Sequence, residues 1–99
     1  MNFRNTVILG LFSVTALMSL NVQAYSGDKY EKEAKITLKE ARAIALKSYS
    51  GKIVDEELEH KPGGSGLRFS FDISAHHVTH EVGIDAQTGA VLKNEEDDD

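Results

Sequence analysis

The chain is 99 residues long, carries a formal net charge of −5 and contains no cysteine. That length bounds the protein to one domain. The acidic balance argues against nucleic acid or anionic lipid as the main ligand, and the lack of cysteine excludes both disulfide staples and a lipoprotein anchor.

Residues 1–24 read as a secretory signal peptide. Arg4 supplies the positive start, residues 6–20 are apolar or small throughout, and Val22 and Ala24 occupy the −3 and −1 positions of a small-residue cleavage site. The apolar run is about 15 residues, short of the roughly 20 that a spanning helix needs. Cleavage after Ala24 predicts a periplasmic or secreted protein with no stable membrane insertion. Loss of Arg4 takes the formal charge from −5 to −6. Mass spectrometry of the exported protein is expected to show Tyr25 as the first residue, and an intact Met1 would overturn the assignment. A remaining domain of about 75 residues buries only about 60–65% of its unfolded surface, so its stability rests on economical packing.

Residues 25–35 are polar, lack an apolar period and read as a flexible lead-in. A helix then starts at Thr37, where Thr-x-x-Glu with Glu40 makes a capping box and Ile36 can staple onto Ala41. The helix is predicted over residues 38–49. Leu38, Ala41, Ile44, Ala45, Ser48 and Tyr49 share one face, and Gly51 stands at the C′ position that ends it. Residues 52–60 read as a strand with Ile53, Val54 and Leu58 as apolar contacts. Its acidic residues Asp55, Glu56, Glu57 and Glu59 mark an edge, or a strand with one wet face. The Lys-Pro-Gly-Gly-Ser-Gly stretch at 61–66 is a turn.

Residues 67–73 alternate cleanly, with Leu67, Phe69, Phe71 and Ile73 inward and Arg68, Ser70 and Asp72 outward, which predicts a central strand. A turn at Ser74-Ala75 is expected to lead into a strand over 76–84 with Val78, Val82 and Ile84 inward. Asp85 and Gly89 carry the turn chemistry of a closing hairpin, the one as an acceptor of backbone N–H groups, the other at a φ > 0 position. Its last strand is predicted at 90–93, followed by a disordered acidic tail over 94–99. Short connections force antiparallel pairing. The expected fold class is α+β: one helix packed on a three- to four-stranded antiparallel sheet, over an apolar face that includes Val54.

The Thr37 to Leu46 stretch (Thr-Leu-Lys-Glu-Ala-Arg-Ala-Ile-Ala-Leu) resembles the helix of a PepSY domain, the module of peptidase propeptides and YpeB-type proteins. Gly51-Lys52-Ile53-Val54 with the acids and Leu58 is similar to that family's first strand, residues 69–73 to its central strand, and the Asp-x-x-Thr-Gly hairpin at 85–89 to its closing hairpin. The likeness spans residues 36–92, within a domain placed at 36–93. It implies an exported module that binds and restrains another protein, and it brings no catalytic residues.

Two sets of residues are candidates for function. Asp55, Glu57 and Glu59 fall on one face of the first strand, where they either select a basic protein partner or keep the edge from pairing with another copy. His76, His77 and His80 cluster in sequence, and with the acidic tail they define the alternative of a metal- or small-ligand-sensing accessory protein. On a strand, however, His76 and His80 stand about 13 Å apart, and a single zinc ion needs each nitrogen at about 2.0–2.1 Å. The 63–67 stretch fails the Gly-x-Ser-x-Gly nucleophile elbow because Leu67 stands in place of the last glycine, and no His-Glu-x-x-His motif occurs. The sequence therefore points away from an enzyme and from any bound cofactor, toward a protein partner such as an envelope peptidase or sensor.

Overall fold

The computed structural model describes residues 24–97, so the signal-peptide assignment and the last two acids lie outside the described residues. A 3-10 helix (Asp28–Glu33) precedes helix α1 (Leu38–Ser48) and four strands, β1 (Lys52–His60), β2 (Leu67–Ala75), β3 (Val78–Asp85) and β4 (Val91–Glu96). The strands form one antiparallel sheet in the order β1-β2-β3-β4. Helix α1 packs on one face of this sheet, against β2, β3 and β4. This is the α+β architecture that the sequence predicts, in its four-stranded form.

The capping box forms as read. Thr37 Oγ1 accepts from Glu40 N–H at 3.0 Å, and Glu40 Oε1 accepts from Thr37 N–H at 2.9 Å. Ala41 and Ala45 are fully buried, and their small side chains let the helix lie close on the strands. The core beneath is Leu58, Leu67, Phe69, Phe71, Ile73, Val82 and Ile84. The helix stops at Ser48 with Tyr49 as an extended cap. Gly51 is not left-handed; its role is close approach, since a Cβ there would collide with the Ser74 carbonyl oxygen.

Four elements differ from the sequence expectation. First, Val54 is 55% exposed. The register passes from Ile53↔Ile73 to Asp55↔Asp72, so Val54 is the extra residue of a bulge and leaves the core face. Second, the β2–β3 turn sits at His76-His77, with φ of 51° and 67°, rather than at Ser74-Ala75. Two consecutive left-handed residues between the paired Ala75 and Val78 fit the tight turn whose twist matches that of a hairpin. Third, β4 runs to Glu96 because β3 is long enough to pair His80↔Glu96, Glu81↔Glu95 and Val82↔Asn94. Backbone pairing proceeds despite the acidic side chains. Fourth, the lead-in is tied to the domain by backbone bonds. Leu58 N–H donates to the Ser26 carbonyl at 2.9 Å, and the Lys35 and Ile36 N–H groups share the Ala86 carbonyl at 2.9 and 3.1 Å.

Candidate docking surface

Pairing places Asp55, Glu57 and Glu59 opposite Asp72, Ser70 and Arg68, on the face of the sheet away from α1. The three candidate partner-binding carboxylates therefore share one surface, as alternation implies. The register adds what the sequence did not reveal. Asp55 pairs with Asp72, Asp72 with Glu81 and Glu81 with Glu95. A row of acids thus crosses all four strands, with like charges directly opposite one another, an arrangement that destabilises a sheet.

The electrostatics register this crowding. The Asp72 carboxyl is pushed up, first by burial and then by Asp97, Asp55 and Glu81, with Lys93 in partial opposition. Glu57 is pushed up by burial and by its neighbours Glu59, Asp55 and Glu81. Lys93 Nζ meets Glu81 Oε1 at 3.1 Å. Arg68 lies on the same face but is 7% exposed; its Nη2 donates to the Pro62 carbonyl at 3.0 Å and its Nε has no partner among the described residues. Ser70 donates to Glu59 Oε2 at 2.7 Å and fixes that carboxylate.

Alternation from the buried Leu58 puts Glu56 on the helix side, opposite Phe71. There it receives Arg42 through two bonds, Nε to Oε1 at 2.9 Å and Nη2 to Oε2 at 2.7 Å. This paired fork locks α1 to β1 and raises the Arg42 guanidinium through its hydrogen bonds to Glu56. Beside it, a groove of about 550 Å³ is walled by Tyr25, Ser26, Arg42 and the 53–56 stretch of β1.

The histidines are dispersed. His76 and His77 form the exposed hairpin turn. His80 stacks on Tyr49, with ring centroids 3.7 Å apart and planes 3° from parallel, and its Nδ1 lies 2.7 Å from Asn94 Oδ1. His60 stands 2.8 Å from Glu33 Oε1 and 4.3 Å from the Tyr30 ring. The ring of His80 is thus engaged with the helix end and β4, while His76 belongs to the turn. Among the described residues no group of three His, Cys, Asp or Glu side chains is placed to hold a metal ion. Nor is any described helix long and apolar enough to cross a membrane.

The described residues thus form one helix over an antiparallel meander, with a charged outer face and grooves beside the β1 edge. The sequence model of the PepSY family, described as the peptidase propeptide and YPEB domain, matches residues 35–95, and the chain belongs to that family. Domains of this family are generally non-catalytic propeptide or regulatory modules. No curated protein and no solved structure matches the chain significantly.

Proposed function

We propose that the protein is an exported, non-enzymatic PepSY module that docks on a basic surface of a protein partner, and that this partner is an envelope peptidase whose activity it restrains. The row Asp55, Asp72, Glu81 and Glu95 carries the reading. Folding has to hold these like charges opposite one another. A partner that brings lysine or arginine over the row relieves the repulsion, which favours the bound state over the free one. Membership of a family described by peptidase propeptides supports a peptidase as the partner class.

The test combines inhibition with charge reversal. Purified protein added to envelope peptidases is expected to slow at least one of them. The Asp55→Lys, Glu57→Lys, Glu59→Lys triple variant is expected to lose that effect while remaining folded, with the loss greatest at low salt. If no envelope peptidase is slowed, the peptidase assignment is wrong. If the triple variant inhibits as well as the natural protein, the acidic face is not the docking surface.

A further inference from the structure

The edge of β1 is already partly occupied by the chain itself. Ser26 forms a parallel bridge with Glu57, closed by the 2.9 Å bond from Leu58 N–H to the Ser26 carbonyl. Gly27 makes this approach possible. Its φ is +84°, and a Cβ there would run into the Leu58 carbonyl. Beyond this bridge the segment is held chiefly by Tyr25 and Tyr30, which pack half-buried against the core. The 3-10 helix that follows contains no buried residue, and its side-chain ties, Tyr25 Oη to Glu31 at 2.6 Å and Glu33 to His60 at 2.8 Å, lie at the surface.

Three grooves, of about 550, 410 and 210 Å³, each have a wall built from residues 25–38. The two larger ones flank Ser26 along the β1 edge, one beside residues 53–56 and the other beside residues 57–60. The lead-in thus bridges the edge without filling the space around it.

We propose that residues 25–27 hold the β1 edge in place of a partner strand, and that an extended, lysine- or arginine-bearing segment of a protein partner displaces them and adds to β1 in the same parallel sense. The proposal rests on the docking reading above and names its entry point. The Ser26 bridge shows that this edge accepts an extended chain and in which direction. The incoming strand alternates faces. On the outer side its residues lie beside Asp55, Glu57 and Glu59, where basic side chains fit. On the inner side they take the space that Tyr25 vacates beside Ile53, where apolar side chains fit. Main-chain bonds supply affinity and the alternating side chains supply selection.

Ser26→Cys with Glu57→Cys tests displacement directly. The chain has no other cysteine, and adjacent strands are spaced about 4.8 Å apart, within the Cα range a disulfide tolerates. The probe is a short peptide alternating Val and Lys, with a Val–Glu peptide as control, and binding is read by fluorescence anisotropy. The oxidised variant is expected to bind the Val–Lys peptide at least about tenfold more weakly than the same protein after reduction. Gly27→Val in the full chain, which unseats the strap, is expected to bind it more tightly than the natural protein and to speed hydrogen exchange at Leu58 while leaving exchange at Phe69 and Phe71 unchanged. Equal peptide affinity in the oxidised and reduced forms overturns displacement even if peptidase inhibition and its charge dependence persist. Failure of the natural protein to bind the peptide also overturns it. Loss of charge dependence in the inhibition assay instead overturns the docking reading beneath it.

Discussion

Replacing Asp85 by alanine is expected to leave the domain largely unfolded at neutral pH. Asp85 is 1% exposed. Its Oδ1 accepts from Ser65 Oγ at 2.8 Å, Gln87 N–H at 2.8 Å and Thr88 N–H at 3.1 Å, and its Oδ2 accepts from Ser65 N–H at 2.7 Å. One carboxylate therefore organises both the 61–66 turn and the closing hairpin. Burial by itself would raise its pKa, but the bonds from Ser65, Gln87 and Thr88 outweigh burial and lower it to about 2. Alanine removes all four of these bonds to a charged acceptor at once, at a cost of about 3–5 kcal/mol in total. Small domains hold only about 0.05–0.15 kcal/mol per residue in total. Circular dichroism and urea titration of the variant check the expectation, and a midpoint within experimental scatter of the natural protein's would refute it.

The same carboxylate sets the acid limb of stability. Its pKa is lower folded than unfolded, so its contribution of roughly 2 kcal/mol is present above about pH 4 and is lost as pH falls toward 2. Glu57 and Asp72 act with the opposite sign. Their folded pKa values are raised, so protonating them just above the ordinary carboxylate range favours the folded state. Stability is therefore expected to rise slightly on mild acidification and then to fall. Asp85→Asn, which keeps an acceptor and discards the charge, is expected to flatten the fall and leave the rise.

The second large effect is expected at Phe71. Its side chain is fully buried, opposite Val82 across the strand pair and 6.4 Å from the Phe69 ring. Truncation to alanine removes a ring from a core that a single short helix covers, at about 3–5 kcal/mol. In a domain of this size each kcal/mol moves the midpoint by roughly 4–8 °C, so Phe71→Ala is expected to show no cooperative transition above room temperature. Phe71→Leu is expected to fold with a lowered midpoint. A calorimetric transition in the alanine variant close to the natural one would mean that the core does not rest on this residue.

Much of this fold is written in local chemistry. The capping box at Thr37 and the Asp-x-x-Thr-Gly turn act within a few residues and form as read, and the alternation from Leu67 to Ile73 sets the faces as read, although Arg68 and Ser70 on the outer face are buried as well. What escaped reading depends on register. Histidine carries little of the signal that Asn-Gly gives for a two-residue turn, so the β2–β3 hairpin was expected two residues early. Moving that turn to His76-His77 is what sets Asp72 across from Glu81. The face holding Asp55, Glu57 and Glu59 was legible by counting in twos, whereas the acid row was not. The bulge at Val54 had no marker either. Its effect, setting Ile53 opposite Ile73 and turning Val54 out of the core, becomes visible only with β2 in place.

The order β1-β2-β3-β4 also bears on how the chain assembles. Every strand joins the one made just before it, so each step closes a short loop at little entropic expense and the domain's contacts stay close in sequence, which speeds folding. A polypeptide emerging N-terminus first can form α1 and then zip its hairpins in turn. The strap is the exception. Its anchor, Leu58, lies well downstream, so it settles only after β1 has formed. Until it does, a newly made molecule presents its open margin to whatever strand comes by.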